Sequence, residues 1–123
     1  MRWSIDRELI EYIMEISKDY YPKEFLALLR ADKNAIKEIL FVPGLKSSDS
    51  RASFDTLALP HYFDVVGTVH SHPSESGEPS HQDLMMFSRY PVNMIVFYPF
   101  SEDCFKTYDN KGDPVELGML SDR

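Results

Sequence analysis

The spacing of apolar and polar positions changes period several times along the chain, and each change predicts an element. In residues 4–20, SIDRELIEYIMEISKDY, Ile5, Leu9, Ile13, Ile16 and Tyr20 recur at helical spacing. Ser4 stands at the N-cap position of that helix and Pro22 closes it. Residues 24–30, EFLALLR, form a short apolar run, and 35–43, AIKEILFVP, alternate well enough to pair with it as a hairpin. Residues 44–53 are polar and aperiodic, which predicts a loop. The alternation returns in 54–60, FDTLALP, and residues 63–72, FDVVGTVHSH, are continuous and β-branched, as in a central strand. Leu84, Met85 and Phe87 are expected on one helical face within 80–90, residues 93–99 form a buried strand, and 104–117 form a hairpin turning at Asn110–Asp113. The Tyr and Phe residues of 97–108 belong to core and sheet faces.

Strands and helices in that order predict an α/β fold, a mixed, curved sheet flanked by helices. The 123 residues fit one domain spanning 1–123, with neither repeats nor low-complexity segments. With 43% hydrophobic and 13% aromatic residues, the chain can build a core without staples. A single cysteine, Cys104, excludes an internal disulfide and a thiolate-rich zinc cluster, and reads as a small buried hydrophobe. The N-terminus turns polar too soon for a signal peptide and no apolar run is long enough to span a bilayer, which predicts a cytoplasmic protein without membrane partners. The net charge is −7 and basic residues occur at most in isolated pairs, so nucleic acid is not an expected partner.

The chemistry gathers in residues 67–84, GTVHSHPSESGEPSHQDL, which hold three of the four histidines. Side chains alternate along a strand, so His70 and His72 share a face and Ser71 takes the other. Ser80 falls where the next helix starts and Asp83 in its first turn. Two imidazoles and a carboxylate make three ligands, leaving zinc's fourth position open in the manner of catalytic sites. The same Ser80-His81-Gln82-Asp83 is also a capping box that satisfies free helix amides. Spacing alone leaves both readings standing. Glu75 and Glu78, in the intervening polar loop, read as solvated charges on a mobile segment. His61 and His81 have no place in the pattern.

The arrangement His70-Ser71-His72-Pro73, six residues, then Ser80-x-x-Asp83 resembles the signature of the JAMM (MPN-plus) metalloproteases. The likeness extends over residues 22–118 and includes an upstream glutamate leading into an apolar strand, matched by Glu24 in KEFLALL. It implies the MPN fold, with one zinc ion per chain held by His70, His72 and Asp83. Glu24 would be the general base and Ser80 the donor to a developing oxyanion. Spacing would not have singled out Glu24, because Glu75 and Glu78 are nearer in sequence.

The family's reaction is hydrolysis of the amide after the C-terminal Gly-Gly of a ubiquitin-like protein. Forty residues follow Asp83, so the chain resembles the compact archaeal and bacterial members, which act on small ubiquitin-like modifiers or sulfur-carrier proteins. The resemblance also implies that the loop 44–53 lies beside the substrate tail; without apolar anchors it is expected to order on binding, with SFDTLAL after it offering backbone groups to a Gly-Gly strand. Two other readings use the same residues: a non-catalytic MPN scaffold, whose members usually lack metal ligands, and an iron site of two histidines and one carboxylate. A nucleobase deaminase would need cysteine ligands that one cysteine cannot supply. The oligomeric state is left open by this pattern.

Overall fold

The structure, a computed structural model, describes residues 2–41 and 64–121. Its elements in chain order are β1 (Ser4–Asp6), α1 (Arg7–Tyr20), β2 (Leu26–Asp32), β3 (Ala35–Leu40), β4 (Val65–His72), α2 (His81–Phe87), β5 (Val92–Phe97), β6 (Phe105–Tyr108) and β7 (Gly118–Leu120). The strands form one sheet in the order β6-β5-β4-β2-β3-β1-β7. It is mixed as expected: β4 runs parallel to β5 and β1 to both its neighbours, whereas β2 is antiparallel to β3 and β4. Irregular register near Arg30 interrupts both ladders of β2, the local feature that bends and twists a strand. The loop expected at 44–53, the alternating segment 54–60 and His61 lie outside the described residues. No helix among those described is long and apolar enough to cross a membrane.

Two elements depart from the periodicity. Residues 4–6 are a strand rather than the first turn of a helix, because Ser4 and Ile5 pair in parallel with both β3 and β7. The helix starts at Arg7, with Asp6 as its cap residue and no side-chain cap bond. Ile5 is fully buried, and the spacing of 5, 9 and 13 cannot tell a buried strand end from a helical turn. The buried face of α1 is accordingly Leu9, Ile10, Ile13, Met14 and Ser17, while Tyr20 is exposed. On α2, Met86 and Phe87 face inward and Met85 outward, against the expected grouping. Asp83, Met86 and Phe87 are spaced i, i+3, i+4, one helical face. Turning Asp83 toward the sheet therefore turns Met85 away from it.

The hairpin after β5 forms as expected at its turn. The Asp109 carboxylate accepts from the amides of Lys111 and Asp113, and Gly112 sits at φ +83. The return arm makes only a single bridge at Pro114 before the chain crosses to the far edge as β7. The bonds of that bridge are made by Asp113 and Val115 on either side, so Pro114 stands where the pairing needs no amide.

Alternation along the central strands separates two cores. Phe25, Ala27, Leu29, Val69, Met94 and Val96 face one side and are covered by α1. Leu26, Leu28 and Ile95 face the other, against Met86 and Phe87 of α2. Gly67 holds β4 close to β5: a Cβ there would lie 1.5 Å from the Val92 carbonyl oxygen. Cys104 is buried as expected.

Candidate metal centre and its surroundings

His70 and His72 occupy the end of β4 on the α2 side of the sheet. His70 is 3% exposed, His72 and Asp83 14% each. The two Nε2 atoms stand 3.2 Å apart. His70 Nε2 is 3.1 Å from Asp83 Oδ1 and His72 Nε2 is 3.2 Å from Asp83 Oδ2. One donor atom from each residue thus converges on a common point.

With His72 neutral, hydrogens alone do not account for this cluster. His72 Nδ1 lies 3.0 Å from the Ser76 carbonyl, which can only accept, so that nitrogen carries a proton. A neutral His72 then turns a lone pair on Nε2 toward the lone pairs of Asp83 and toward His70. At most one ring proton, on His70 Nε2, would be left for three close contacts. A cation between them relieves all three. Bonds of about 2.0–2.1 Å in tetrahedral geometry would separate ligand atoms by about 3.3 Å, close to the spacings found. The donor set and its geometry fit zinc.

Electrostatics point the same way. Burial would raise the Asp83 carboxyl, but hydrogen bonds and charge from His70 and His72, with the Ser80 amide, hold it well below the usual carboxylate range. Burial pushes His72 down; the bonds to Asp83 and Ser76 and the charges of Asp83 and Glu24 outweigh that and raise it. Both shifts mark a centre that draws positive charge, supplied by a proton on His72 or by a cation in its place.

Ser80 and Asp83 form the capping box. Ser80 Oγ accepts from the Asp83 amide at 3.0 Å, and Asp83 Oδ2 accepts from the Ser80 amide at 2.8 Å. Capping and metal binding are not alternatives here, since the box aims the carboxylate at the histidines. Ser80 caps with a lone pair, so its exposed hydroxyl keeps its proton for another acceptor.

Glu24 enters through strand register. Leu26 pairs with His70 across the antiparallel β2–β4 ladder. Continued past the start of β2, that register carries Glu24 toward His72, close enough to feel the charges of His70, His72 and Asp83. Half-buried, its carboxyl is raised chiefly by desolvation, against the lowering effect of His70 and His72, with a further rise from Asp83. The pairing register, which a single sequence does not display, is the signal that finds it. Glu75 and Glu78 are exposed, as expected. Their loop, however, is tied down. Glu78 pairs with Lys106 at 3.1 Å, the Tyr108 hydroxyl donates to the Gly77 carbonyl at 2.6 Å, and the Tyr98 amide bonds Ser74 at 3.0 Å. His81 is exposed.

Two supporting groups escaped the sequence reading. Thr68 donates to Asn93 at 2.8 Å, and Asn93 in turn holds the Tyr90 carbonyl at 3.0 Å beyond the end of α2. Ser71, the residue between the histidines, accepts from the Phe25 amide at 2.7 Å.

A family model described as prokaryotic homologs of the JAB domain matches residues 6–108. The chain belongs to this family. Among JAB-domain relatives, a protein of Haloferax volcanii named "Probable metalloprotease" is 28% identical over 126 residues, covering 94% of this chain and 78% of its own. A solved JAB1/MPN domain protein from Archaeoglobus fulgidus is 38% identical with a TM-score of 0.78, over 97% of this chain and 98% of that one. A second structure, described as a JAMM, metalloprotease-like zinc site in the proteasome and signalosome, is 36% identical. Its TM-score is 0.78, over 98% of this chain and 99% of its own. The JAMM resemblance and the MPN fold expected from the sequence are both borne out.

Proposed function

We propose that this JAMM-family chain is a zinc-dependent isopeptidase, hydrolysing the amide after the C-terminal Gly-Gly of a ubiquitin-like or sulfur-carrier protein. The observation that carries the reading is the convergence of His70, His72 and Asp83 with Glu24 in register beside them. His70 and His72 would hold the ion through Nε2 and Asp83 through a carboxylate oxygen. Bound zinc would supply Lewis acidity and bring the pKa of water to about 7. Glu24, its carboxyl raised by burial, is suited to take a proton from the attacking water and return it to the leaving amine. Ser80 would direct its free O–H at the carbonyl oxygen as negative charge develops there. A Gly-Gly tail suits such a site because an extended, side-chain-free strand can approach the ligands closely and be held by backbone bonds.

The test is a panel. Zinc-loaded protein is incubated with isopeptide conjugates and linear fusions of small ubiquitin-like proteins, and both cut ends are weighed by mass spectrometry. Cleavage after the second glycine is the expected result; cleavage of none of them, with one zinc bound, would refute the isopeptidase reading. Metal analysis separates zinc from an iron site of the same ligand types.

A further inference from the structure

The pairing between β2 and β4 changes character at Ser71. The Ser71 amide donates to the Phe25 carbonyl at 2.9 Å, as a ladder requires. In a regular antiparallel pair the Phe25 amide would return a bond to the Ser71 carbonyl. It bonds instead to the Ser71 hydroxyl, at 2.7 Å. Ser71 is 1% exposed and Phe25 fully buried, so the substituted bond is shielded from water. Among the described residues, the two bonds of this pair are the last between the strands before Glu24, whose carboxyl must reach the far side of the sheet from Ser71.

From this we infer that Ser71 is a positioning residue for Glu24, a role that rests on the proposed function. Its side chain touches neither substrate nor metal, since it lies on the α1 face while His70 and His72 lie on the other. By holding the Phe25 amide it fixes the backbone on which Glu24 is carried. The same strand segment therefore sets both parts of the centre: His70 and His72 point to one side for the ion, and the hydroxyl between them anchors the base from behind. Without that bond the Phe25 amide would be buried without a partner, and the segment would swing away to regain one. A base displaced by a fraction of an ångström loses much of its catalytic effect.

Ser71→Ala, Ser71→Cys and Ser71→Thr decide the matter, each loaded with zinc. Cysteine keeps the size but is a weak acceptor, which covers the case in which alanine fails to fold; threonine keeps the hydroxyl. The substrate is a small ubiquitin-like protein carrying a fluorogenic amide on its terminal glycine. Ser71→Ala and Ser71→Cys should bind about one zinc per chain. Their kcat should fall roughly ten- to hundredfold, with KM within about twofold of the parent. The carbon-13 signal of the Glu24 carboxyl should shift in both, and Ser71→Thr should restore rate and signal. A lower melting temperature with kcat and the Glu24 signal unchanged would overturn the inference, leaving Ser71 a purely structural residue. If the parent cleaves nothing, the isopeptidase reading fails by itself. The Glu24 signal still decides the placement: unmoved in both variants, it overturns the inference.

Discussion

Strand β4 presents opposite chemistries to the two sides of the sheet. On the α1 side Val69 joins a dry core of Phe25, Leu29, Met94 and Val96 under a helix of 14 residues. On the α2 side Thr68, His70 and His72 form a polar row under a helix of only 7. Both sides are largely buried, so the difference lies in how polarity is satisfied. Thr68 has Asn93, His72 has Ser76 and Asp83, and His70 has Asp83. Only His70 Nδ1 lacks a partner among the described residues. A buried polar row is tolerated when its members are paired, and here the pairing leaves a charge-seeking centre at the strand end. A short helix suffices on that side because its task is to deliver one carboxylate.

The sharpest way to separate the faces is to remove the ligands. His70→Ala with His72→Ala should abolish stoichiometric zinc and all turnover while leaving a folded domain, because the α1-side core is untouched. Retained zinc in the double variant, measured by elemental analysis, would show that the ion sits elsewhere. Glu24→Gln should keep zinc and fold but lower kcat by about 10²–10⁴, since an amide cannot accept water's proton. Glu75→Gln and Glu78→Gln are the controls; if they lose activity and Glu24→Gln does not, the base is misplaced.

Ser80→Ala tests a residue with two uses. Loss of an oxyanion donor would lower kcat by about 10²–10³, and loss of the cap would remove about 1 kcal/mol of stability. Both losses are expected, in one variant measured for melting and for rate. On the opposite face, Leu29→Ala should cost about 2–5 kcal/mol through the cavity it leaves. The folded fraction should still bind zinc normally; reduced zinc affinity there would mean that the faces are coupled.

The smallest effect concerns pH in the zinc-stripped protein. The folded pKa of His72 is raised, so its contribution to stability is complete below about pH 6.5 and is lost as pH climbs through the raised value. That of Asp83 is depressed, so its contribution is present above about pH 3.9 and is lost as pH falls through the lowered value. Melting temperature should therefore be highest in mildly acidic solution and decline toward pH 8. Asp83→Asn should flatten that decline. An equally steep decline in the variant would assign the effect to another group.

Much of this was readable from residue order. The hairpin of β2 and β3, the strands β4 and β5, the turn at Asn110–Asp113 and the capping box at Ser80 and Asp83 follow from local patterns: alternation, β-branching and turn chemistry. These are short-range effects, decided by residues within a few positions of one another. That His70, His72 and Asp83 act together needed the resemblance as well. The tertiary structure decided what depends on partners distant in sequence. Ile5 became a strand because β3 and β7 offered hydrogen bonds on both sides. Met85 faced outward because Asp83 had to face the histidines. Glu24 reached the site because β2 pairs with β4 in the register that sets Leu26 against His70. Periodicity states which side chains share a face of an element. Which face is buried, and what meets it there, is settled only when the elements pack.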